Sequence, residues 1–114
     1  MPLPFRLVAA AGVFAAGAAW GQSATGREIF LRPDLGNCIA CHQVSDAAGP
    51  AVRSDVGPRL DAARLKGWNR DRLRVLIEDP TRAHPETVMP PYGRHRLLDP
   101  GEIERVIDYL HALP

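Results

Sequence analysis

The stretch that decides the fold is Cys38-Ile39-Ala40-Cys41-His42, in which an imidazole directly follows two thiols spaced three positions apart. This pattern is the attachment signature of a c-type haem, because each thiol can add across one vinyl group of the porphyrin. The spacing lets one turn of backbone offer both sulfurs to one edge of the ring, with His42 beneath the iron as its proximal ligand. We therefore predict one covalently attached haem c at Cys38 and Cys41.

Two other interpretations of the same residues are a redox dithiol and part of a structural zinc site. The chain has only 2 cysteines, so scattered histidines would have to complete a zinc site. A thioredoxin-like dithiol follows a β-strand, whereas the flanking residues show no alternation of apolar and polar side chains. The dithiol interpretation also leaves His42 unexplained.

The N-terminal residues have the pattern of a secretory signal peptide. Arg6 supplies one positive charge, an apolar run covers residues 7–19, and small residues near its end suit cleavage. The run is shorter than the roughly twenty residues that cross a bilayer. We predict a signal peptide at 1–21, cleaved after Gly21 with Ala18 or Ala19 as alternatives. The remaining domain, 22–114, is then periplasmic and not membrane-spanning.

The charge balance does not imply strong attraction to nucleic acid or to an anionic membrane. Fourteen basic residues face thirteen acidic ones, and loss of Arg6 with the signal peptide leaves thirteen of each. Several basic residues cluster in residues 64–72, which is typical either of a solvated helix face or of a patch that docks a haem propionate or a protein.

The remaining pattern predicts helices separated by long loops. Residues 25–32 form a short first helix, the haem motif starts the second, and residues 44–68 are loop. Asn69 caps a helix that ends at Asp79, with its arginines facing water. Asp99-Pro100-Gly101-Glu102 starts the last helix, which packs on the first. The fold class is thus all-α: a small class I cytochrome c fold of three to five helices, with long loops around one covalent haem.

Met89 is the predicted distal ligand of the iron. It lies in a proline-stiffened loop just before the last helix, where small c-type cytochromes place their distal thioether. Histidine and methionine together close the coordination of the iron, which suits electron transfer and leaves no open position for a substrate. The alternatives are a packing role for Met89 and three rival ligands: His84, His95 and His111.

A haem histidine needs an acceptor for its second ring nitrogen, and a backbone carbonyl commonly serves. We assign this role to Pro58, in Gly57-Pro58, with an ordinary turn as the alternative. Trp68 and Tyr92 are aromatic residues with polar tips, which either reach a propionate or simply pack.

Several motifs beyond the haem signature carry a family resemblance. They are Gly36-Asn37-Cys38-Ile39-Ala40-Cys41-His42, Val56-Gly57-Pro58, Ile77-Glu78-Asp79-Pro80, Pro85-Glu86-Thr87-Val88-Met89-Pro90-Pro91-Tyr92-Gly93, and Glu102-Ile103 with Val106-Ile107-Asp108-Tyr109-Leu110. Together they resemble the SoxX family, the monohaem cytochrome subunits of the SoxAX complex of bacterial sulfur oxidation. The chain departs from that pattern in a shorter stretch at residues 94–98 and in Ile39, where leucine is common.

The resemblance implies thioethers at Cys38 and Cys41, axial ligands His42 and Met89, and a SoxA-like partner subunit. It also implies that the complex resembles an L-cysteine S-thiosulfotransferase, which couples thiosulfate to a carrier-protein cysteine while SoxX removes the electrons. A downstream acceptor, such as another cytochrome c, would then take them.

The cysteine count supports a non-catalytic role for this chain. Sulfur transfer through a protein persulfide needs a free thiolate, and thioethers would consume both cysteines. We therefore predict an electron-transfer subunit with no catalytic residue of its own. Two alternatives remain: a free-standing cytochrome c that shuttles electrons to a terminal oxidase, and a ligand-binding haem enzyme with an open distal position.

Overall fold

The computed structural model describes residues 1–4, 12, 17, 21–46 and 54–114. Most of the predicted signal peptide, with its apolar run and the alternative cleavage positions Ala18 and Ala19, lies outside these residues, as do residues 47–53 of the predicted long loop. Among the described residues, no helix combines the length and the apolar character that a membrane span requires.

The described part of the chain is helical. Its four α-helices are α1 (Gly26–Leu31), α2 (Ala62–Leu65), α3 (Arg70–Glu78) and α4 (Pro100–His111). Two 3-10 turns, Cys38–Ala40 and Pro80–Arg82, complete the regular structure. The β-structure of this part is one isolated parallel bridge between Val44 and Leu60. The predicted all-α class is therefore confirmed.

Polar caps explain where the helices begin. Thr25 starts α1 in a capping box, in which its hydroxyl accepts from the Glu28 amide at 3.2 Å. Asn69 caps α3 by accepting from the amide of Arg72 at 2.9 Å. Asp99 starts α4 in a second capping box with Glu102. Each cap satisfies amides that have no partner inside the helix, and all three predicted helix starts are confirmed.

The core forms where α1 crosses α4. Ile29 and Phe30 of α1 are buried, and so is the predicted stripe of α4: Ile103, Val106, Ile107 and Leu110. A Cβ atom on Gly26 would lie only 1.9 Å from the carbonyl oxygen of Arg105. Glycine at this position therefore allows the two helix backbones to approach closely.

Three expectations about local structure need correction. The haem motif starts a single 3-10 turn rather than an α-helix, because the segment is held by short-range turn bonds such as that from the Cys41 amide to the Cys38 carbonyl, at 3.2 Å. Residues 44–68 are not loop throughout, since α2 lies within them. This short helix is capped by Asp61 and buries Leu65 against the core.

The third correction concerns the arginines of α3, which do not all simply face water. Arg70 donates to Glu104 at 2.5 Å and also pairs with Asp108. Arg74 pairs with Glu104 at 2.5 Å and with Asp71 at 2.5 Å. These side chains join α3 to α4, because their guanidinium groups can engage more than one carboxylate at once.

Candidate haem site

A left-handed residue followed by a tight turn forms the attachment segment, which we define as residues 36–42. Asn37 has φ 49°, and the 3-10 turn Cys38–Ala40 follows it. The His42 amide then donates to the Cys38 carbonyl at 2.9 Å. Asn37 was not among the residues predicted to shape the site, although asparagine is one of the few residues other than glycine that tolerate this conformation.

The two cysteines are free thiols of intermediate exposure. Burial raises the pKa of Cys38 to about 12, against weaker opposing hydrogen bonds. A redox-active dithiol needs a thiol whose pKa is lowered, because the thiolate is the nucleophile. The environment of Cys38 therefore does not favour the dithiol interpretation.

His42 is held by the loop that contains Gly57 and Pro58. Its Nδ1 lies 2.8 Å from the Pro58 carbonyl oxygen, which is the hydrogen bond that we expected from the sequence. A carbonyl can only accept, so Nδ1 carries the proton and donates it. Nε2 is therefore the ring nitrogen with a free lone pair, as a metal ligand requires.

The same loop lies close against the imidazole of His42. A Cβ atom on Gly57 would lie 2.6 to 2.9 Å from three atoms of the His42 ring. The Gly57 amide also donates to the Cys41 carbonyl at 2.8 Å. Glycine is needed here for the close approach, and Pro58 fixes the backbone that follows.

Met89 is only partly exposed and packs against the hydrophobic core. Its amide donates to the Thr87 hydroxyl at 3.1 Å, a contact that was not predicted. The threonine two residues before Met89 could have indicated this hydrogen bond, because threonine side chains commonly bond to nearby backbone amides.

The three rival ligands are placed differently. His84, His95 and His111 are all exposed, and Nε2 of His111 lies 3.0 Å from the carbonyl oxygen of Trp68. Among the four candidates for the distal ligand, the partly buried Met89 has the environment expected of a residue that lines an apolar cofactor site.

The zinc interpretation gains no support from the described residues, in which no group of three or more histidine, cysteine or carboxylate side chains could hold a metal ion. A haem iron has a different requirement, because the porphyrin supplies most of its ligands and the protein supplies only the axial ones. The free thiols, the imidazole with one free nitrogen and the half-buried thioether fit a covalently bound haem.

The two aromatic residues for which contact with a propionate and plain packing were both left open, Trp68 and Tyr92, have contacts within the protein. The Tyr92 hydroxyl donates to the Gly36 carbonyl at 2.7 Å in a buried hydrogen bond. The guanidinium group of Arg72 lies 3.8 Å from the centre of the Trp68 ring, a cation–π contact. For Tyr92 the packing alternative is therefore favoured.

The fold and the site together define the class of protein: this is a c-type cytochrome, an electron-transfer protein whose haem is bound covalently. The family model described as "Cytochrome C oxidase, cbb3-type, subunit III" matches residues 21–110, so the chain belongs to that family.

Two further comparisons place the chain among known proteins. Its structure is similar to a chain in the crystal structure of SoxXA from P. pantotrophus, with a TM-score of 0.65 and 23% identity, and the match covers 81% of this chain and 83% of that one. At this identity the similarity shows the fold, and the predicted cytochrome c fold is confirmed. The chain is also 33% identical over 78 residues to an uncharacterized lipoprotein of Aquifex aeolicus (strain VF5). That match covers 67% of this chain and 36% of the lipoprotein, so the chain spans about a third of this relative's length.

Proposed function

We propose that this chain is a SoxX-like electron-transfer subunit with a single haem, which works outside the cytoplasm with a SoxA-like partner. The observation that carries the haem assignment is the hydrogen bond from His42 to the Pro58 carbonyl, because it leaves Nε2 free for the iron. The SoxX assignment is supported by the motifs of residues 36–110 and by a fold that matches a SoxXA chain over most of both lengths.

Each site residue has a distinct role in this proposal. Cys38 and Cys41 would form the two thioethers, His42 and Met89 would bind the iron, and the carbonyl of Pro58 fixes the tautomer of His42. The bound haem supplies a one-electron couple. With both His42 and Met89 bound to the iron, no position would be left for a small ligand or a substrate.

The chain itself has no catalytic residue in this proposal, because both of its cysteines are consumed as thioethers. When a thiolate of a carrier protein and thiosulfate join through a sulfur–sulfur bond, an electron pair is released. We place that chemistry in the SoxA-like partner, and this chain takes the electrons singly and passes them to an acceptor such as another cytochrome c.

The proposed location is the periplasm, with a signal peptide at 1–21 and a cytochrome domain at 22–114. Thioether attachment outside the cytoplasmic membrane suits this location, because free thiols would otherwise be oxidised there. We place the boundary near the start of the family match, at residue 21, and a few residues before the cap of the first helix at Thr25.

A partner experiment tests the proposal. The tagged holoprotein, isolated from thiosulfate-grown cells, should bring down a second c-type cytochrome subunit, and adding thiosulfate with a carrier protein that presents a reduced cysteine should reduce its haem. A matched sample in which the carrier cysteine is alkylated should stay oxidised. Isolation as a monomer that the complete mixture does not reduce would contradict the SoxX-like role while leaving the cytochrome class intact.

The family match favours a second candidate function, because its description names an oxidase subunit. In this candidate the domain delivers electrons to a terminal oxidase and needs no SoxA-like partner. Rapid oxidation of the reduced protein by oxidase-containing membranes, with no response to thiosulfate and carrier protein, would select this function.

A further inference from the structure

Tyr92 connects two parts of the candidate haem site that are far apart in the sequence. Its ring is buried, with 8% of the residue exposed. Its hydroxyl donates to the Gly36 carbonyl at 2.7 Å, across 56 positions of the chain. One end of this contact lies in the attachment segment, and the other lies in the Met89 loop, which we define as residues 86–93.

On the attachment side, Gly36 has little freedom to move. Its amide donates to the Ile29 carbonyl at 3.0 Å. A Cβ atom on Gly36 would lie 2.9 Å from that same oxygen and 3.1 Å from Cys38 Sγ. Fixing the Gly36 carbonyl therefore also fixes the backbone that leads into Cys38.

On the other side, the backbone of Tyr92 is anchored to the end of α3. Its amide donates to the Ile77 carbonyl at 3.1 Å, and its own carbonyl accepts from Leu98 at 3.1 Å. Only Pro90 and Pro91 separate Tyr92 from Met89. Because each proline ring locks one backbone angle, the two prolines limit how far Met89 can move relative to Tyr92.

The hydroxyl is suited to a permanent donor role. Burial raises the pKa of Tyr92, so the group stays neutral and keeps its proton at physiological pH. The Gly36 carbonyl has no proton to give, so the direction of the hydrogen bond is fixed.

We infer that Tyr92 is a positioning residue, whose hydroxyl joins the Met89 loop to the attachment segment and so holds the Met89 thioether in place as a ligand. The inference rests on the proposed ligation by His42 and Met89. The hydrogen bond between Tyr92 and Gly36 is a contact within the protein alone. The connection between the two segments and the proposed iron ligation can therefore fail separately.

The test compares holoproteins that carry Tyr92→Phe or Tyr109→Phe. Both replacements remove only a hydroxyl, and the Tyr109 hydroxyl donates to Asp46, outside the Met89 loop. Amide hydrogen exchange is followed in peptides that cover residues 36–42 and 86–93. Under Tyr92→Phe, exchange in both segments should rise about fivefold, the order expected for losing one buried hydrogen bond. Under Tyr109→Phe, exchange in residues 86–93 should stay as in the parent protein.

A third variant distinguishes the loss of the Tyr92–Gly36 hydrogen bond from a general increase in the mobility of the Met89 loop. Thr87→Val removes the acceptor of the Met89 amide and should raise exchange in residues 86–93 but not in residues 36–42. Visible spectroscopy gives a second readout. In Tyr92→Phe, the weak far-red absorption of a methionine-bound ferric haem should disappear at a lower denaturant concentration than helicity does. In Tyr109→Phe, the absorption and the helicity should disappear together.

The outcomes separate the two proposals. Unchanged exchange in Tyr92→Phe overturns the positioning role, even if the parent protein shows the far-red band. If the parent protein lacks that band, methionine ligation and the positioning of Met89 for the iron are both wrong, and the exchange data then decide only whether the two segments are tied.

Discussion

Nδ1 of His42 donates a hydrogen bond to the carbonyl oxygen of Pro58, at 2.8 Å. The backbone of Gly57 contacts the imidazole ring so closely that an added Cβ atom would lie 2.6 to 2.9 Å from it. The first contact sets the tautomer of the ring and the second sets its orientation. Both contacts come from one short loop, so this loop holds the His42 ring in the tautomer and the orientation that a metal ligand needs.

Gly57→Ala tests whether this loop holds the His42 ring in place. The new Cβ atom would lie 2.6 to 2.9 Å from the His42 ring, so either the ring or the loop must move. We expect a loss of about 1–3 kcal/mol in the free energy of unfolding, typical of overpacking, and a shifted spectrum of the oxidised haem. Denaturant unfolding and visible spectroscopy measure the two effects.

The matched control is Val56→Ala, in the same loop, because Val56 is 63% exposed. It should change stability by less than about 0.5 kcal/mol. Equal effects of the two replacements would contradict the role assigned to Gly57.

Met89→Ala tests the distal ligand. Removing the thioether should open one axial position, so the reduced protein should bind carbon monoxide and the oxidised protein should lose its far-red absorption. His84→Ala is the matched control, since His84 is the nearest rival in sequence and is exposed. Carbon monoxide binding by the histidine variant but not by the methionine variant would reverse the assignment.

Gly26→Ala tests the crossing of α1 and α4. Its Cβ atom would lie 1.9 Å from the Arg105 carbonyl oxygen, and backbone cannot swing aside as a side chain can. The helices must separate, so we expect stability to fall by about 3 kcal/mol or more, measured by thermal or denaturant unfolding.

A glycine within α4 supplies the control for this crossing. At Gly101 a new Cβ atom would come no closer than 3.2 Å, to the Asp99 carboxylate, and alanine is also the better helix former. Gly101→Ala should therefore change stability by less than about 1 kcal/mol. A loss as large as that of the Gly26 variant would show that the close crossing is not the cause.

Glu104 gives a prediction about pH. Hydrogen bonds from Arg74 and Arg70 lower the pKa of this carboxyl below its ordinary 4.5. A lowered folded-state pKa means that the contribution to stability is present above the unfolded pKa and is lost as the pH falls through the folded one. Glu104→Gln should therefore unfold more easily than the parent protein at neutral pH and lose less of its stability on acidification.

Urea unfolding at neutral and at acid pH measures this difference. The control is Glu86→Gln, since Glu86 is exposed and forms no salt bridge with the described residues. Parallel acid profiles for the parent protein and the Glu104 variant would contradict the coupling of α3 to α4 through this carboxylate.

Local signals in the sequence predicted much of the fold. The caps at Thr25, Asn69 and Asp99 act within one turn of their own helices, so neighbouring residues reveal them. The contact between His42 and Pro58 was also predictable, because a haem histidine needs an acceptor and a stiff loop offers its carbonyl.

What the sequence did not reveal depends on contacts between distant segments. The hydrogen bond from Tyr92 to Gly36 joins residues 56 positions apart, and no local pattern marks it. The pairing of Arg70 and Arg74 with Glu104 needs α3 and α4 to lie side by side. Helix α2 is only four residues long, too short to be stable alone, so it forms because Leu65 packs on the core.

The most direct test of the central claim is the intact mass and colour of the denatured protein, produced with cytochrome c maturation machinery and extracted with acidified acetone. We predict that the colour stays with the polypeptide and that its mass exceeds that of the processed chain by one haem. In a Cys38→Ala, Cys41→Ala double variant, both the colour and the added mass should be absent. A colourless parent protein whose mass equals that of the bare polypeptide would contradict the account.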